Sequence, residues 1–90
     1  MVANMLSFNI SKHDKLIQKI FRSSKDITPD EAVKVLEGMG FKATPTGGSY
    51  LTFRKASRQS VTIVLTQNPL KLYMLEKLQE ALINEGYKND

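Results

Sequence analysis

The stretch Gly47-Gly48-Ser49-Tyr50-Leu51-Thr52-Phe53-Arg54 constrains the fold of this chain more than any other. Two adjacent glycines supply a sharp turn, because a residue without Cβ takes positive φ at no steric cost. The residues that follow alternate with the period of a strand. Leu51 and Phe53 fall on one face, and Tyr50, Thr52 and Arg54 on the other. Phe41 to Pro45, just before the turn, reads as a first short strand. Two extended runs joined by Thr46-Gly47-Gly48-Ser49 must pair antiparallel, since a parallel partner needs a crossover of about a dozen residues or more. A third run, Val61-Thr62-Ile63-Val64-Leu65, is β-branched and apolar and is expected to be the central or most buried strand. A polar connection, Ala56 to Ser60, joins it to the second. Gln67-Asn68-Pro69 breaks it.

Helix signals flank these strands on both sides. Ser11-Lys12-His13-Asp14 looks like a helix start, with serine as N-cap and an acidic residue suited to the positive end of the helix dipole. Leu16, Ile17, Ile20 and Phe21 then share one helical face. Ser23-Ser24-Lys25-Asp26 ends that helix. Thr28-Pro29-Asp30-Glu31 is the clearest start signal: Thr28 caps, Pro29 fits the first turn, and Glu31 closes a capping box. Ala32, Val33, Leu36 and Met39 form the expected buried stripe, and Gly40 the stop. A last helix over residues 70–85 carries Leu72, Leu75, Leu78 and Leu82, with Met74, Ala81 and Ile83 in support, before Gly86. That stripe repeats over barely two heptads, so it reads as core and not as a coiled coil.

The order is helix, helix, three strands, helix. Helices that precede and follow the strands, without separating them, imply an α+β domain with the order α-α-β-β-β-α. In it the helices pack on one face of a three-stranded antiparallel meander. The other face is then open to water and should present Tyr50, Thr52, Arg54, Thr62 and Val64. Ninety residues make one domain, here residues 11–90, with residues 1–10 expected as an N-terminal arm. No internal repeat interrupts this plan.

Composition narrows the function classes. There is no cysteine and one histidine, His13, so neither a thiolate site nor a histidine cluster can form. No metal or other cofactor is expected. His13 lies in the first turn of a capped helix, where a solvated role is expected. No apolar run approaches the ~20 residues that span a bilayer. The N-terminus lacks the basic region and apolar core of a signal peptide, so the expected location is the cytoplasm, with no membrane partner. The net charge of +4 is unevenly spread. Residues 1–37 hold six basic and five acidic side chains, and residues 76–90 hold two and four. Gly38 to Leu75 carries Lys42, Arg54, Lys55, Arg58 and Lys71 and no acid at all. A polyanion would be drawn to that segment. The plainer alternative is a sheet edge kept soluble by its cations.

A helix, three strands and a helix with a basic, partly aromatic surface match the double-stranded-RNA-binding-domain plan in outline. More specifically, residues 28–85 resemble the HicA family of bacterial toxins. The resemblance rests on Glu37-Gly38-Met39-Gly40-Phe41, then Thr46-Gly47-Gly48-Ser49, Thr52-Phe53-Arg54-Lys55 and Val61-Thr62-Ile63. Asn68-Pro69-Leu70-Lys71 completes it. The order and spacing of these pieces carry it, not any one alone. The first helix resembles the extension of longer members. The family implies a metal-independent endoribonuclease acting on mRNA, paired with a HicB-like antitoxin protein that masks the active face.

The family histidine held to cleave RNA follows the Gly-Ser of this loop, and here that position is Tyr50. After the third strand, where many members carry a basic residue or histidine, this chain has Leu65-Thr66-Gln67. Metal-free RNA cleavage needs a base for the 2′-hydroxyl proton and an acid for the leaving oxygen. Histidine serves as either near neutrality. Free tyrosine, with a reference pKa near 10, does not, although its phenol can stack on a base or hydrogen-bond a phosphate. Three explanations fit Tyr50: a natural member that binds without cleaving, a toxin inactivated by a His→Tyr change, or tyrosine as an unusual acid. A plain strand residue after a turn is the structural alternative.

The RNA-binding candidates are Gly47, Gly48, Ser49, Tyr50, Thr52, Arg54, Lys55, Arg58 and Lys71. Glycines let backbone N–H groups approach a phosphate, although a turn that needs positive φ explains them equally. Arg54 shares the parity of Tyr50, and Lys55 does not. Three functions remain open. The first is a HicA-like fold that binds RNA with cleavage absent or impaired. The second is a subunit that holds an acidic HicB-type partner. The third is a double-stranded-RNA binder unrelated to toxins, which should show a lysine cluster opening the last helix, where this chain has only Lys71 and Lys77.

Overall fold

The computed structural model describes residues 12–22 and 26–88. The expected arm over residues 1–10, the Ser11 cap and the Ser23–Lys25 helix end lie outside them. Within them the chain is α+β, with helices α1 (Lys12–Arg22) and α2 (Pro29–Gly38), strands β1 (Lys42–Pro45), β2 (Tyr50–Arg54) and β3 (Val61–Val64), and helix α3 (Leu72–Asn84).

Local chemistry sets the helix ends. Thr28 Oγ1 accepts the Glu31 N–H at 3.2 Å, and the Glu31 carboxylate accepts the Thr28 N–H at 3.0 Å. This is the capping box expected from Thr28-Pro29-Asp30-Glu31. Glu31 also holds Lys19 of α1 at 2.6 Å, so the cap anchors one helix to another. Helices α2 and α3 both close in a Schellman motif. Gly40 donates to Glu37 O and Phe41 to Leu36 O at the end of α2; Gly86 donates to Ile83 O and Tyr87 to Leu82 O at the end of α3. The left-handed residue is glycine in both, with φ of 92° at Gly40 and 95° at Gly86.

The strands form one sheet in the order β1-β2-β3, antiparallel throughout. The central strand is therefore Tyr50–Arg54, and the β-branched run Val61–Val64 lies at an edge among the described residues. Of the two places expected for it, central or most buried, it takes the second: none of its four residues is exposed, whereas β1 is exposed throughout and β2 at both ends. Two successive hairpins put the middle segment in the middle whatever its composition. The β-branched residues of β3 report burial under helices instead, and Val61 and Ile63 are indeed buried. Helices α2 and α3 cover one face of the sheet, and α1 lies on α2 and α3. The core between the layers joins Ile17 and Ile20 of α1, Val35 and Leu36 of α2, Phe53 of β2 and Leu75, Leu78 and Leu82 of α3. Full burial of one such side chain contributes about 1.5–3 kcal/mol.

The stripe of α3 differs from the expected one. Met74, Leu75, Leu78, Ala81 and Leu82 are buried, whereas Leu72 is 58% and Ile83 59% exposed. Ile83 lies about 100° beyond Leu82 and turns away from the sheet. Leu72 opens the helix, past the end of β3. No helix of the described residues is long and apolar enough to cross a membrane.

Candidate nucleic-acid interface

The sheet face away from the helices is built by strand parity and register. Lys42 pairs with Arg54, Thr44 with Thr52, Thr52 with Thr62, and Tyr50 with Val64. Paired residues in an antiparallel ladder point to the same side. Three rows result: a row of Tyr50 and the partly buried Val64, a threonine row of Thr44, Thr52 and Thr62, and a basic row of Lys42 and Arg54. Tyr50 is 52% exposed, and Lys42, Thr44 and Arg54 are exposed as well.

Thr52 departs from expectation. It is only 6% exposed, and its hydroxyl lies 3.0 Å from that of Thr62. A short side chain in the central strand is walled in by neighbours on both flanking strands. Its hydroxyl is engaged inside the sheet, so Thr52 is a structural member of the face and not a free contact.

The turn that precedes Tyr50 is held at three points. Tyr50 N–H donates to Gly47 O at 3.2 Å, Thr46 N–H to Tyr50 O at 3.3 Å, and Leu65 N–H to Ser49 O at 2.7 Å. Gly47 has φ 109° and Gly48 φ 56°, and a Cβ on either would meet nothing within 4 Å. Their glycines are thus required by backbone conformation, while the space around them stays open. Ser49 is half-buried where the turn meets the end of β3.

Two of the expected cations are engaged elsewhere. Lys55 Nζ donates to Met39 O at 2.8 Å and to Glu85 Oε1 at 2.5 Å, and it lies 5.8 Å from the centre of the Phe41 ring. Arg58 Nε donates to Glu85 Oε2 at 2.5 Å. Met39 and Glu85 are the C-caps of α2 and α3. A cation here meets the negative ends of two helix dipoles, and one carboxylate with its two donors ties both helix ends to the β2–β3 hairpin. The hydrogen bond from Lys55, then that from Arg58, holds the Glu85 carboxyl below the usual glutamate value. Lys71, the N-cap residue of α3, is exposed, and its N–H donates to Gln67 Oε1 at 3.0 Å. It follows the end of β3 and so lies toward the Tyr50 end of the molecule.

His13 is not a solvated helix residue. Its Nε2 lies 3.1 Å from Val35 O, and its ring meets the Tyr87 ring edge-on at 6.3 Å. It is a packing residue on the helical side of the sheet.

The structure therefore places Tyr50, beside the Gly47-Gly48-Ser49 turn, and Arg54, at the other end of β2, on one open face. It ties Lys55 and Arg58, which follow Arg54, to Glu85 at the C-terminal end of α3. It adds Lys42, which sequence reasoning passed over. The register that finds it pairs Thr46 with Tyr50 across the three residues Gly47–Ser49 and so sets residue 42 opposite residue 54, whereas a four-residue turn over Thr46–Ser49 would set it opposite residue 53. Neither Lys42 nor Arg54 has an ion-pair partner among the described residues. Like charges directly opposed on neighbouring strands are unfavourable, so an anion placed between them relieves the sheet. Comparisons with models of protein families, with curated proteins and with solved structures find no match to this chain.

Proposed function

We propose that this chain is an RNA-binding protein built on a HicA-like toxin plan, in which the open sheet face engages RNA and cleavage is absent or impaired. The observation that carries the reading is the joint placement of Tyr50, Arg54 and Lys42 on one solvent-facing surface. That surface belongs to a segment with no acidic side chain from Gly38 to Leu75. The cations supply sequence-independent attraction to phosphates, and the ring supplies a stacking platform. Tyr50 occupies the position after the Gly-Ser turn that resembles the family's catalytic site, and His13 packs on the far side of the sheet, at Val35 and Tyr87. No imidazole therefore stands on the open face to move the 2′-hydroxyl proton. The protein partner in this reading is an acidic, HicB-like antitoxin that covers the same face. The exposed Leu65, Leu72 and Tyr73 offer apolar surface for such a partner.

The test is a metal-free RNA-cleavage assay on the chain beside its Tyr50→His variant, with binding read in parallel. The expected result is RNA binding by both and cleavage by the variant alone. Absence of RNA binding in both would overturn the reading.

A further inference from the structure

We infer that the open face takes an unpaired stretch of RNA, with one base stacked on the Tyr50 ring and a phosphate further along the strand held between Lys42 and Arg54. This inference rests on the RNA-binding reading above and specifies its ligand. Tyr50 opens β2 and Arg54 closes it. Four strand steps separate them, about 13 Å at ~3.3 Å per residue. The side chains between are short, and two of the threonines are tied to each other, Thr52 to Thr62 at 3.0 Å. The face is thus a shallow trough with a long aromatic side chain at one end and two long cations at the other.

Each end selects a different part of a nucleotide. The half-exposed Tyr50 ring offers a π-face, which binds any base but needs that base free on one side. Inside a duplex both faces of a base are covered by neighbouring pairs, so Tyr50 is served by unpaired residues. At the other end the Arg54 guanidinium matches phosphate geometry with two parallel donors, and Lys42 adds a point charge. Adjacent phosphates in a stacked strand are only about 3.4 Å apart along the axis. The ~13 Å between the two ends therefore spans several nucleotides. A mononucleotide reaches one end at a time.

The experiment is fluorescence anisotropy with a labelled eight-nucleotide RNA, its blunt duplex and a labelled mononucleotide, at fixed low salt. The wild-type chain is compared with Tyr50→Ala and Tyr50→Phe. Tyr50 is surface-exposed, so both variants are expected to keep the wild-type melting temperature, which circular dichroism checks. The expected result is tighter binding of the single strand than of either alternative. Tyr50→Ala should weaken single-strand binding about tenfold and leave duplex binding unchanged, and Tyr50→Phe should retain affinity. Equal affinity for duplex and single strand, or an unaffected Tyr50→Ala, would overturn the inference and leave the RNA-binding reading standing. No binding of any RNA by the wild type would overturn that reading, and this inference with it.

Discussion

Replacing Gly38 by alanine sets two effects against each other. Gly38 is the last residue of α2. Alanine in a helix is ordinarily better than glycine by roughly 0.5–1 kcal/mol. Here a Cβ would lie 2.3 Å from His13 Cδ2 and 2.4 Å from His13 Nε2. Ordinary contact is about 3.5–4.0 Å, so the ring must move by more than ~1 Å. Moving it breaks the contact of Nε2 with Val35 O, worth about 0.5–1.5 kcal/mol. It also breaks the edge-on contact with Tyr87, worth about as much again. The loss of roughly 1–3 kcal/mol exceeds the helix gain, for a net destabilisation of about 1 kcal/mol. For a domain of this size that lowers the melting temperature by about 4–8 °C. Thermal melts of Gly38→Ala in the wild-type and His13→Ala backgrounds test this. With the imidazole gone, the same substitution should become stabilising, giving a coupling energy of 1 kcal/mol or more, by order of magnitude. A higher melting temperature for Gly38→Ala alone, or equal effects in both backgrounds, would refute the reasoning.

Three further outcomes follow from the structure. Glu85→Gln should lower stability near neutrality by about 1 kcal/mol, since each lost charge-assisted hydrogen bond is partly screened by solvent. The folded-state pKa of Glu85 lies below the ordinary value of 4.5, so its contribution is present above that value and fades as pH falls through the lowered pKa. A pH series of urea melts should show a flatter acid limb for the variant, and an unchanged limb would count against the tie. Thr28→Ala should cost about 1 kcal/mol by loss of the α2 cap, read by the same melts; no loss would mean that the capping box contributes nothing. Thr52→Val removes the hydroxyl paired with Thr62 and should cost about 1 kcal/mol while leaving RNA affinity within twofold, by order of magnitude; a larger loss of affinity would return Thr52 to the binding surface.

Most of the fold was legible in the sequence because local signals and tertiary packing agree. The capping box at Thr28, the glycine stops at Gly40 and Gly86 and the glycine turn before Tyr50 each fix a boundary by chemistry within a few residues. What failed or stayed open depended on longer range. The rank of the Val61 run within the sheet follows from connectivity, while its composition reports only burial. The roles of Lys55 and Arg58 depended on Glu85, about thirty residues away, reaching the β2–β3 hairpin. Leu72 reads as core by spacing, yet the sheet ends before it. On the candidate face, Tyr50 and Arg54 were found by parity alone. Thr52 had the right parity but sits in the central strand between two neighbours. Lys42 needed the hairpin register as well as parity.

The central claim is that phosphates are held by the Lys42–Arg54 row. It is tested most directly by the salt dependence of RNA binding. Affinity of a labelled single-stranded RNA would be measured from low to moderate sodium chloride for the wild type, Lys42→Ala, Arg54→Ala and Lys34→Ala. Lys34 is exposed on α2 and paired with Asp30 at 3.4 Å, away from the open face. The expected wild-type plot of log affinity against log salt is linear and falling. Lys42→Ala and Arg54→Ala should each reduce its slope, by no more than about 0.7, the value for the one phosphate that the two hold on a single strand, and Lys34→Ala should leave it unchanged. Equal slopes for all four proteins, or a slope that changes only with Lys34→Ala, would contradict the account.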